Sequence, residues 1–133
     1  MKNSLERLCE AIGYPDKAPA GASSFTMRVD ELDVLVRIMG NRLVLSCVID
    51  RNIGDLPRLA TYASGRMLME EAVLAWDERA DACILWQECA ETDTNQELVH
   101  AFQKFMDSCD WWVARAGELN APPVVFPDIV IRP

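Results

Sequence analysis

Val73-Leu74-Ala75-Trp76-Asp77-Glu78 and Ala82-Cys83-Ile84-Leu85-Trp86-Gln87, with the following residues 95–116, decide how this chain folds. The two short runs read as a hairpin turning through Glu78, Arg79, Ala80 and Asp81. The second run is apolar at both parities, with Ala82, Ile84 and Trp86 on one face and Cys83 and Leu85 on the other. Such a strand is covered on both sides. One side belongs to the domain core, and the other needs a helix, a second subunit or a bound peptide. In the next segment Leu98, Phe102, Phe105, Cys109, Trp112 and Ala116 alternate steps of four and three, and Thr94 or Asn95 can cap the start. That is an amphipathic helix with a seam that either packs on the sheet or self-associates. Met106 and Val113 widen it. So much apolar surface, with no arrangement of residues that does chemistry, points to a binding module.

Working outward from the hairpin, residues 25–49 upstream of it read as a meander. Phe25, Met27 and Val29 alternate with Thr26, Arg28 and Asp30. After a turn expected at Glu31-Leu32, Val34, Val36 and Ile38 alternate with Leu35, Arg37 and Met39. Gly40-Asn41 reads as a two-residue turn. Leu43, Leu45, Cys47 and Ile49 then alternate with Val44, Ser46 and Val48. Ahead of the meander, Leu5, Leu8, Cys9 and Ile12 predict a short helix, with Asn3 or Ser4 to cap it and Gly13 to end it. Between the meander and the hairpin, Asp55 caps a helix to about Glu70 whose stripe is Leu56, Leu59, Ala60, Ala63 and Met67. The expected class is α+β, in the order α-β-β-β-α-β-β-α, with an antiparallel sheet packed by helices.

With 133 residues the chain suits one domain. Residues 1–118 form that domain. Residues 119–133 form a tail with four prolines, which exclude a helix, yet Val124, Val125, Phe126, Ile129, Val130 and Ile131 make it apolar. The formal charge is −8, from 13 basic and 21 acidic residues. That balance argues against nucleic acid and against an anionic membrane surface. It serves solubility or steers a basic partner. Acidic residues crowd between Glu70 and Asp93, where Arg79 is the lone cation. No export signal and no membrane-spanning run is read, so a cytoplasmic protein is expected. The five cysteines, Cys9, Cys47, Cys83, Cys89 and Cys109, lack metal-site spacing and read as buried free thiols. His100 is the single histidine and falls on the polar side of its helix. Asp77, Glu78 and Asp81 sit at a turn, and no phosphate-binding glycine loop occurs. Neither an enzyme nor a cofactor or metal site is expected.

The element order, together with Leu5-Glu6-Arg7-Leu8-Cys9-Glu10-Ala11-Ile12-Gly13, Leu43-Val44-Leu45-Ser46-Cys47-Val48-Ile49, Leu74-Ala75-Trp76-Asp77-Glu78, Ile84-Leu85-Trp86-Gln87-Glu88 and the helix carrying Phe102, Phe105, Trp111 and Trp112, resembles the class I chaperones of bacterial type III secretion, the Tir-chaperone-like family. The likeness covers roughly residues 4–116, and the proline-rich tail departs from it. The resemblance implies a homodimer built through the second helix and neighbouring strands. By position, Leu59, Ala63, Met67, Ile84 and Trp86 would serve the dimer. It implies a partner held without ATP: the N-terminal segment of an effector, bound as an extended chain and kept competent for secretion. Phe25, Met27, Val34, Val36, Leu43 and Leu45 are the candidate effector-binding residues. Alternation lets only one set of each strand face outward. The competing reading is an acidic immunity-type or antitoxin-like protein that masks a basic partner, and the weakest is a small enzyme.

Overall fold

The computed structural model describes residues 2–14, 18–50, 56–67, 69–91 and 93–120. The expectations for Asp55 as a cap and for the tail from Ala121 onward lie outside the described residues. Within them the order is α1 (Ser4–Ile12), β1 (Ser24–Val29), β2 (Leu32–Met39), β3 (Arg42–Asp50), α2 (Leu56–Met67), β4 (Val73–Asp77), β5 (Ala82–Ala90) and α3 (Asn95–Asn120). The α+β order read from sequence is therefore the order of the fold.

Local chemistry sets most boundaries. Asn3 caps α1 by accepting the Glu6 N–H at 2.9 Å. Gly13 closes it in the left-handed region at φ 69° and donates back to the last carbonyls, a conformation that costs glycine nothing. Thr94 and Glu97 form a reciprocal capping box at the start of α3, with bonds of 3.0 and 3.1 Å. Those bonds, led by the one to the Thr94 backbone, hold the Glu97 carboxyl below its usual range. The first hairpin differs from expectation. It turns at Asp30 and Glu31, both at positive φ, and Leu32 already begins β2. With that placement Leu32 joins the apolar set of Val34 and Val36 against the core, so the turn yields to strand register.

All strand pairs are antiparallel, in the order β1-β2-β3-β5-β4. The chain thus leaves the meander, makes α2 and β4 at the far edge, and returns β5 to the centre beside β3. Cys47 lies opposite Leu85 and Leu43 opposite Cys89. On one face these strands meet α3, whose Leu98, Phe105, Cys109, Trp112 and Ala116 are at most 2% exposed. The helical seam is spent on the chain's own sheet. Leu5, Leu8 and Cys9 of α1 complete that layer. Burial of this size of apolar surface is the main stabilising term.

Two polar ties hold the helices in place. Arg7 of α1 donates to the Asp93 and Glu91 carbonyls at 2.8 and 2.7 Å and to Asn95 Oδ1 at 3.1 Å. One guanidinium thereby satisfies the turn between β5 and α3 and fixes α1 against it. At the other end of α3, Trp111 meets Tyr62 of α2 edge-on, with ring centroids 5.9 Å apart. The guanidiniums of Arg66 and Arg115 lie 4.2 and 4.8 Å from the Trp111 ring centre, and Glu70 pairs with Arg66 while accepting the Ser108 hydroxyl at 2.9 Å. This cluster is the main described seat of α2.

All five cysteines are free and buried. Burial first, and then nearby carboxylates, pushes the Cys83 and Cys89 thiols up to about 11. Cys109 donates to Cys47, which lowers Cys47 and raises Cys109. A cysteine buried away from solvent is inert. Three outcomes are expected. Arg7→Ala lowers stability by about 2 kcal/mol, read as a reduced urea midpoint at unchanged slope. Trp111→Ala speeds amide exchange across residues 56–67 at least tenfold while that of β3 stays slow. The native chain at neutral pH reacts with a thiol reagent far more slowly than the urea-unfolded chain, in which all five cysteines are modified.

Candidate functional site

The alternation of the strands divides the expected binding residues. Met27, Val34, Val36, Leu43 and Leu45 are 0% exposed. They point to α1 and α3 and fill the core, so they offer nothing to a second chain in this conformation. Their assignment to an effector-binding surface is corrected accordingly: the outward set is the other parity. Phe25 alone of that group is part-exposed, and it meets the Tyr14 ring edge-on at 5.9 Å.

The residues expected at a dimer interface also separate. Leu59 and Ala63 pack against the core cluster, on the helical side. Ile84 and Trp86 alternate with core-facing Leu85 and lie on the opposite face. The side chain of Met67 is outside the described set. The structure therefore does not gather Leu59, Ala63, Ile84 and Trp86 into one patch.

The outward face is built of cross-strand rows, because directly opposed residues share a face. One row runs Thr26, Leu35, Ser46, Trp86, Val73, and the next includes Val48, Ile84 and Ala75. A third runs Arg37, Val44, Glu88. Val44 and Ser46 are only 6% and 8% exposed beneath their neighbours, while Leu35, Val48, Val73, Ala75, Ile84 and Trp86 are half-buried. All three helices turn their apolar side chains to the other face. Among the described residues the centre of the sheet thus carries an apolar surface without a helical cover, with Arg37 and Glu88 at its margin. The sequence signal for Leu35, Val44 and Val48 was present: β2 and β3, like β5, are apolar at both parities.

Among the described residues the sheet also ends in two edges with no further strand beside them. β4 presents residues 73–77, with Trp76 52% exposed. β1 presents the other. There Ile38 N–H donates to the Ser23 carbonyl at 2.8 Å, whereas Arg28 N–H donates away from β2, to the Tyr14 hydroxyl at 2.9 Å. Odd-numbered positions of β1 therefore bond to β2, and Ser24, Thr26 and Arg28 direct their backbone groups off the edge. Beside this edge is a cavity of about 570 Å³ walled by Ile12, Tyr14, Val29 and Phe102, with Arg28 and Asp30 at its lip.

The polar residues expected to stay outside chemistry sit as follows. His100 is exposed on α3. Asp77 accepts the Arg79 and Ala80 N–H groups at 2.9 and 3.4 Å, so it shapes the β4–β5 turn. Glu70 and Glu71 line a cleft of about 520 Å³ with Gln87, Lys104, Asp107 and Ser108, on the helical side. The crowded acidic residues of the sequence are thus divided between the two faces and the hairpin turn. Among the described residues no histidine, cysteine and carboxylate cluster suited to a metal ion occurs, and no described helix is long and apolar enough to cross a membrane.

No protein-family model and no curated protein matches the sequence. Solved structures do. The chaperone SchA in its complex with the effector HopA1 is similar at a TM-score of 0.66 and 15% identity, over 83% of this chain and 90% of that one. The Yersinia pestis type III secretion chaperone SycH, solved with a fragment of YscM2, is similar at 0.63 and 16%, over 82% and 96%. YbjN, a putative transcription regulator from E. coli, reaches 0.66 at 13%, over 90% and 94%. Identities this low establish architecture. From its helix, five-stranded antiparallel sheet and closing helix, the chain has the fold of the class I type III secretion chaperones.

Proposed function

We propose that this chain is a chaperone of a type III secretion effector. It binds the N-terminal segment of that effector as an extended chain, in the cytoplasm, without ATP and without a catalytic step. The observation that carries the reading is the apolar face over β3 and β5, without a helical cover among the described residues and flanked by two sheet edges, on a fold shared with the chaperones SchA, solved with the effector HopA1, and SycH, solved with a fragment of YscM2. Both features suit an unfolded client. An extended segment satisfies its backbone by adding to an edge, and it buries alternate side chains against the chaperone. Neither step needs an energy source. Each contact is individually weak, so a secretion apparatus can strip the client away.

Self-association belongs to the same proposal. Ile84 and Trp86, with Val48 and Val73 around them, form the patch on which a second copy sits. Leu59 and Ala63 act from behind, by holding α2 to its own core. An apolar patch with a polar margin is the ordinary anatomy of a dimer interface. Trp86, at its centre, is the residue on which most of the interface energy would rest.

Light scattering coupled to size exclusion tests this directly. The chain is expected at twice its 14.9 kDa mass, and Trp86→Asp is expected to shift it to the single-chain mass with its circular dichroism unchanged. Co-expression with the N-terminal segment encoded by the adjacent reading frame is expected to yield a soluble complex. A monomeric wild type that leaves the segment insoluble would overturn the chaperone reading. Tight, salt-sensitive binding to a folded basic partner would put the immunity-type reading in its place.

A further inference from the structure

Tyr14 stands where a client strand would have to go. It follows Gly13, whose left-handed φ of 69° ends α1 and turns the chain toward β1. Its hydroxyl takes the Arg28 N–H at 2.9 Å. That N–H belongs to the outward-facing set of β1 and is the group an added strand would bond. Its ring contacts Phe25 edge-on at 5.9 Å and forms one wall of the cavity shared by Ile12, Val29 and Phe102. The side chain thus does two jobs of a bound peptide: an acceptor for the edge and an apolar group over the β1 end of the core.

We infer that Tyr14 is an intramolecular placeholder for the client on the β1 edge. The occupant is an extended segment of the effector. Its backbone pairs with Ser24, Thr26 and Arg28, and one of its large apolar side chains takes the space of the Tyr14 ring against Phe25, Val29 and Phe102. The inference rests on the chaperone reading above and adds to it the edge, the register and the group that must move. It favours β1 over β4 because only β1 joins its free backbone groups to an apolar cavity among the described residues. With Tyr14 in place a client strand has only Ser24 and Thr26 to pair with. Full pairing therefore begins with the hydroxyl leaving Arg28. Water replaces it readily at this exposed position, so the placeholder shields the empty edge from chance pairing while remaining easy to displace.

The test uses the full chain and Tyr14→Phe, which keeps the ring and removes the acceptor. In the client-free state, amide exchange by NMR is expected to be at least threefold faster at Arg28 in the variant, with β3 unchanged. An Arg28 amide that exchanges equally fast in both forms would sink the placeholder. The second arm titrates both forms with the N-terminal segment from the adjacent reading frame. Tyr14→Phe is expected to bind about threefold to tenfold tighter, since one competing neutral hydrogen bond has gone. New protection is expected at Thr26 and Arg28. Capture with equal affinity, or with protection at residues 73–77 instead, defeats the placeholder and leaves the chaperone reading intact. Failure of both forms to bind the segment defeats both.

Discussion

The pairing of β3 with β5 places residues 42–50 against residues 82–90, two runs joined by α2 and an edge strand. Both are apolar at either parity, so both are fit only for the middle of a sheet. Once they lie together, Leu43, Leu45, Cys47, Leu85 and Cys89 present one continuous apolar layer, and α3 has a surface that matches its stripe. The same pairing forces a second layer on the reverse side, Val44, Val48, Ile84 and Trp86, because strand periodicity is two and each residue between core positions must face away. The proposed binding surface is thus the unavoidable other side of the core.

That arrangement gives the helices a supporting role. Arg7 joins α1 to the β5–α3 turn by satisfying carbonyls that the turn leaves open. Trp111, with Tyr62 and two guanidiniums, seats α2 on the end of α3. Neither tie touches the reverse face. The helical side is locked by directional contacts, while the sheet side is left as a plain apolar surface with edges. A rigid back and an uncovered front suit the proposed seating of a second copy on the sheet face, with the client at an edge.

Much of this was legible in the order of residues. Gly13, Gly40 and Thr94 marked element ends through backbone preferences that act within a few positions. The stripe from Leu98 to Ala116 and the alternation of the meander identified element types, and the order resembled that of the secretion chaperones. The site was read less well. Met27, Val34, Val36, Leu43 and Leu45 have the parity that faces α1 and α3, and for that reason the core claimed them. A binding face is formed by what the core leaves over, here Leu35, Val44, Val48 and Trp86, and it is recognised only when opposed strands are laid side by side. Tyr14 carried no signal at all, because its bond to Arg28 joins the end of a helix to the end of a strand.

The sequence by itself determined the order and type of elements, most of their ends, and the surplus of apolar surface, since all of these follow from periodicity and short-range backbone chemistry. The tertiary structure decided the strand order, which parity of each strand faced the helices, and which strands became edges. Those choices depend on contacts between residues far apart in the chain, such as Cys47 with Leu85. Local preference is blind at that distance, and only the joint burial of both partners selects one arrangement.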